Sequence, residues 1–125
     1  MAASFCTLQT SRNIEFFFTR IAIRNFSMEE CMCFQLDDHK LYLEIDYDLI
    51  SMTICIDRHL CHETVSRLFD VMTPSSLYGY VPRTFMTMNL VGVNITLPSD
   101  TNAEIYLRIY KMITKEMRQY IKKTC

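Results

Sequence analysis

Between Met32 and Ile56 the chain alternates apolar and polar residues with a period of two, in three runs with almost nothing between them. Met32, Phe34 and Leu36 alternate with Cys33 and Gln35. Leu41, Leu43, Ile45 and Tyr47 alternate with Tyr42, Glu44, Asp46 and Asp48, and Ile50, Met52, Ile54 and Ile56 alternate with Ser51, Thr53, Cys55 and Asp57. A period of two sends each set to one face of a sheet, so three strands with one apolar face are predicted. The polar break from Asp37 to Lys40 has hairpin length, and a second reversal falls at Asp46 to Asp48. The economical reading is an antiparallel meander whose apolar face needs a cover.

Helices before and after the meander supply that cover. The first starts near Ser11 or Asn13, either of which can cap it, and runs to about Asn25 with a stripe of Ile14, Phe17, Phe18 and Ile21. Phe16, Ala22, Ile23 and Phe26 spill beyond the stripe. That surplus means either deep burial or an apolar surface kept for a partner. A second helix is expected from His59 to Met72, capped by Asp57, with a stripe of Cys61, Val65, Leu68, Phe69 and Met72 and a stop at Thr73-Pro74. Ser75 to Arg83 reads as a loop. From Thr84 to Leu97 the alternation shifts by one residue around Gly92, which leaves a tight hairpin or one bulged strand. The last helix opens on Thr101 and Glu104 in capping-box spacing, with a stripe of Ile105, Ile109, Met112, Ile113, Met117, Tyr120 and Ile121. Met1 to Thr10 carries no pattern and reads as a loose lead-in. The fold class is therefore α+β, an antiparallel sheet with the order α-β-β-β-α-β-β-α.

A chain of 125 residues fits one domain with one core. Half the residues are apolar and the net charge is -1. That composition argues against a disordered tail, and against a polyelectrolyte drawn to nucleic acid or membrane by charge alone. The charge is unevenly placed. Glu29 to Asp57 holds eight acidic residues against Lys40 alone, whereas Ser99 to the end holds six bases against Asp100, Glu104 and Glu116. The first base is Arg12, and Glu15 and Arg20 break the apolar run from Ile14 to Ile23, so neither a signal peptide nor a membrane span is expected. The six cysteines then read as mostly free thiols in a reducing cytoplasm.

Candidate chemistry is sparse. Cys55, His59, Cys61 and His62, with Cys31 and Cys33 nearby in sequence, form the densest cluster of metal-ligating types, but no Cys-x-x-Cys knuckle is present and Cys61 belongs to an apolar stripe. A Cys55 thiol paired with His59 or His62 lacks a third group to orient the base. With only Gly79 and Gly92 in the chain, a phosphate-cradling glycine loop is excluded. No enzyme activity, cofactor or metal is expected. Asn94-Ile95-Thr96 matches a glycosylation acceptor, which has no meaning without export.

The order helix, three strands, helix, one or two strands, helix, over Asn13 to Lys123, resembles the class I chaperones of bacterial type III secretion systems. The resemblance lies in element order and not in a signature peptide. It implies a homodimer in the bacterial cytoplasm that binds the N-terminal segment of a secreted virulence effector and keeps it extended for export. The ATPase of the secretion apparatus is a further partner the resemblance implies. Carried over residue by residue, the effector groove falls on Phe16, Phe17, Ile23, Phe34 and Leu36, and the dimer contact on Val65, Leu68, Phe69, Met86 and Met88. Burial of three or four such anchors at ~1.5 to 3 kcal/mol each leaves net affinity after the bound segment is ordered. The alternatives are a small monomeric α+β adaptor that presents its apolar helix to a folded partner, and a zinc- or thiol-dependent enzyme.

Overall fold

The computed structural model describes residues 5–121. It places α1 (Leu8–Arg20), β1 (Cys31–Gln35), β2 (Lys40–Asp46), β3 (Leu49–Ile56), α2 (His62–Val71), a short 3-10 helix (Pro74–Leu77), β4 (Arg83–Thr87), β5 (Leu90–Pro98) and α3 (Ala103–Ile121). This is the α+β order expected from the pattern. The strands form one antiparallel sheet ordered β1-β2-β3-β5-β4. Its register carries the apolar alternation straight across, since Met32 pairs with Leu43, Leu43 with Met52, and Met52 with Ile95. Directly paired residues share a face, and all four are buried. α3 packs on α1, on α2 and on β3, so the helices cover this one face. The other face is polar: Cys33, Tyr42, Thr53, Asn94 and Arg83 follow one another across the sheet. Asn94, the residue of the glycosylation pattern, donates from Nδ2 to Ser51 Oγ and Thr53 Oγ1, at 2.8 Å each.

The ends of elements depart from the sequence reading for identifiable reasons. α1 begins at Leu8 because Thr7 caps it, its hydroxyl accepting from the Thr10 amide, so Ser11 and Asn13 lie inside the helix. The expected loose lead-in is thus placed from Phe5 onward: Cys6 is buried, and the Phe5 carbonyl accepts from the Tyr47 amide. Residues 1–4 lie outside the described residues, as do Lys122, Lys123 and Cys125. α1 stops at Arg20, short of Asn25, and Ala22 then takes a φ of 67°, a left-handed turn costly for a residue with a Cβ. α2 begins at His62 with Cys61 at its N-cap position. Asp57, the expected cap, forms an ion pair with Lys40 instead. The open question at 84–97 resolves as a hairpin turning at Met88 and Asn89. Gly92 lies within β5, where the Phe85 ring covers it; a Cβ built there would sit 2.1 Å from that ring. Finally, Asn102 caps α3 in place of Thr101, its Oδ1 accepting from the Glu104 amide at 2.8 Å.

Candidate functional site

β1 is one edge of the sheet, and among the described residues no strand pairs with its outer side. Its unpaired N–H and C=O groups can therefore take up a further strand. Beside this edge the aromatic run of α1 divides, because successive helical residues point about 100° apart. Phe18 turns to the sheet, meeting Phe34 edge-on at 5.0 Å and Phe26 at 4.8 Å. Phe17 turns to α3, with its ring 5.6 Å from Tyr110 and 6.3 Å from Tyr106. Phe16 points away from both. It lies under the Arg20 guanidinium and lines a separate cleft with Asp100 and Glu104 at the start of α3.

The five groove residues expected from the sequence are thus not one surface. Phe34 and Leu36 are half-buried beside the open edge, and Phe16 is exposed elsewhere. Phe17 and Ile23 are only 2% and 6% exposed, so they belong to the core and present nothing to a ligand. Leu36 lines a cleft of about 380 Å³ between the end of α1 (Ile21, Ala22), the β1–β2 turn (Asp37, His39) and α3 (Tyr110, Arg118). An open backbone edge with an apolar step and a cleft beside it suits an extended peptide, whose alternate side chains would enter the recess.

A chain of hydrogen bonds, three of whose members (His39, Tyr110 and Arg118) line that cleft, fixes the turn that ends β1. Arg118 Nε donates to Asp38 Oδ2 at 2.8 Å, Asp38 Oδ1 pairs with His39 Nδ1 at 2.6 Å, and His39 Nε2 pairs with the Tyr110 hydroxyl at 2.6 Å. Burial pushes the Asp38 carboxyl up, but the hydrogen bonds from His39 and Arg118 outweigh it and leave it below its ordinary value. Burial pushes the Tyr110 phenol up to about 12; the Arg118 charge opposes this, and Asp38 and Asp37 add to it. A phenol held neutral and buried is no nucleophile near neutral pH. The chain therefore acts as a clamp between the turn and α3. The sequence reading missed it, because His39 and Tyr110 are 71 residues apart. The only local signal was a histidine beside two aspartates in a turn.

The second edge, β4, is built otherwise. Of the five dimer-contact residues expected from the sequence, Val65 and Leu68 are 2% and 0% exposed, packed beneath α2 as core. Phe69 is half-buried, Met86 is exposed, and Met88 stands at the hairpin tip with 80% of its surface open. Met88 is in the turn and not in a strand, where its carbonyl meets His59 Nδ1 at 2.9 Å. Tyr78 and Val81, on the segment leading into β4, are exposed as well. Met86 pairs with buried Val91 and so lies on the helix-covered face, yet its side chain stays exposed.

The cysteine and histidine cluster does not converge. Cys55 is buried on the polar face of the sheet opposite Gly92, while Cys61 and His62 begin α2. Among the described residues, no three histidine, cysteine or acidic side chains gather as a metal-binding group. No helix among them is long and apolar enough to cross a membrane.

A protein-family model described as SsaM matches residues 7–122. Solved structures share the fold at low identity. A chain of the HopA1–SchA chaperone–effector complex is 14% identical with a TM-score of 0.64, over 93% of this chain and 95% of that one. A chain of the heterodimeric ExoU–SpcU complex from the type III secretion system of Pseudomonas aeruginosa is 12% identical with a TM-score of 0.60, over 86% and 94%. A chain of the complex of the Yersinia pestis type III secretion chaperone SycH with a stable fragment of YscM2 is 13% identical with a TM-score of 0.59, over 90% and 97%. No curated protein sequence matches the chain.

Proposed function

Because the chain belongs to the SsaM family, a family of type III secretion chaperone type, we propose that it binds the N-terminal segment of a secreted effector along the β1 edge and holds it extended, without catalysing a reaction. The observation that carries this reading is the open edge of β1 beside the Phe34 and Leu36 side chains and the 380 Å³ cleft. Backbone pairing gives affinity for many sequences, and the apolar recess selects where along the segment pairing begins. In this reading the whole chain acts as one domain in the bacterial cytoplasm. It works as a homodimer whose contact is formed at β4 by Met86, Met88 and the open part of Phe69. Handing the segment to the ATPase of the secretion apparatus completes the role.

Titration calorimetry of N-terminal segments from the effectors encoded with the chain's own secretion system tests it. At least one segment should bind, and the double change Phe34→Glu with Leu36→Glu should weaken that binding by ~100-fold or more, because two desolvated apolar contacts are lost. An unchanged affinity in a folded double variant would place the effector elsewhere.

A further inference from the structure

The exposed side of α3 carries a feature that the β1 site does not use. Arg108, Lys111, Lys115 and Arg118 are all exposed. At about 100° per residue they fall within an arc of roughly 80°, and they extend over about 15 Å of helix. Arg118 is engaged by Asp38. Among the described residues, Arg108, Lys111 and Lys115 take part in no ion pair, although Glu104 lies four residues before Arg108 on the same arc. A merely solvated helix face ordinarily interleaves the two signs, and here three bases follow one another with no acid between them on the arc.

Carboxylates flank the stripe. Glu104 precedes it at the start of α3, and Asp38 and Asp37 on the β1–β2 turn lie beside Arg118. An extended polyanion such as nucleic acid or an anionic bilayer would meet these flanking carboxylates, on a chain whose net charge is already -1. A short acidic element fits between them. Its carboxylates would need the spacing of successive helical turns to meet Arg108, Lys111 and Lys115 together. Neutralising three unpaired bases on an exposed face costs little desolvation, so such docking is fast, weak to moderate and sensitive to salt.

We propose that the outer face of α3 is a second docking surface, separate from the β1 edge, that takes an acidic α-helix of another protein through Arg108, Lys111 and Lys115. The probe is a synthetic helical peptide with glutamates on one face at successive turns, followed by fluorescence anisotropy against the full chain. Its affinity should fall as ionic strength rises from ~0.01 to ~0.15 M. It should fall ~10-fold or more in the triple variant Arg108→Glu, Lys111→Glu, Lys115→Glu. The control, Arg24→Glu, Arg58→Glu, Arg83→Glu, carries the same net charge on exposed positions elsewhere and should retain most of the binding. Far-UV circular dichroism establishes that both variants are folded. Equal losses in the two variants would reduce the effect to net charge and overturn the proposal, as would absence of peptide binding. Tighter binding of a single-stranded oligonucleotide or of phosphatidylglycerol vesicles, lost in the first variant, would assign the stripe to a polyanion instead. The β1 edge is untouched by these changes, so effector binding in the triple variant reports separately on that site.

Discussion

β1 and β4 are the two edges of one sheet, and they are finished in opposite ways. Behind β1 stands a packed aromatic set, Phe34 on Phe18 on Phe26, and the turn that ends the strand is pinned to α3 through His39 and Tyr110. β4 is the opposite edge of the sheet. Its Met86 lies on the core-facing side but stays open, and the hairpin tip at Met88 is held at its carbonyl by His59. The difference separates two ways of presenting an edge. A strand set on a rigid base is ordered before its ligand arrives, so little of the binding energy is lost to ordering. A strand carrying flexible methionines without cover offers adaptable apolar surface that is satisfied when another surface closes over it.

The contrast is broken most severely at its base. Phe18→Ala removes a fully buried ring shared by α1, β1 and the segment carrying Phe26, and should cost ~3 to 5 kcal/mol in urea unfolding. A loss below about 1 kcal/mol would mean that β1 does not rest on that set.

A smaller effect is expected at the clamp. Tyr110→Phe leaves His39 Nε2 buried without its hydroxyl partner and should cost about 1 to 3 kcal/mol at neutral pH. The sign of its pH dependence follows from the raised phenol pKa. Stability from keeping Tyr110 neutral is fully present below its ordinary value of 10.0 and is lost as pH rises toward about 12. Thermal melts of the variant should therefore fall less steeply than wild type across that window. Tyr106, whose phenol is also raised by burial, preserves part of the slope. Identical alkaline slopes would contradict the clamp.

The least costly change lies at the other edge. Met86→Glu with Met88→Glu should leave the fold of each chain intact, since both side chains are already exposed. The solution mass by light scattering should drop from twice the 14.8 kDa chain to one copy. A wild-type mass of one copy would remove the dimer from the account.

How legible these edges were in the sequence depends on how local their signals are. The meander was plain, because period-two alternation over Met32 to Ile56 is a nearest-neighbour property and the register preserved it. The caps were misplaced where two nearby residues can both cap, as with Thr7 against Ser11, and Asn102 against Thr101. Phe16, Phe17 and Phe18 were a surplus that spacing alone could not assign, since only the positions of α3 and β1 decide which ring is core. The stripe drawn for α3 missed Tyr106 and Tyr110, which are buried, because tyrosine reads equally as core or surface. The clamp was invisible for the same reason that it is effective: it joins a turn to a helix far away in sequence.

Amide hydrogen exchange on the chain with and without a bound effector segment locates the segment on one edge or the other. New protection is expected on the β1 amides between Cys31 and Gln35 that face away from β2, with the β4 amides unchanged by the segment. Protection gained at Arg83 to Thr87 and none at β1 would contradict binding along the β1 edge.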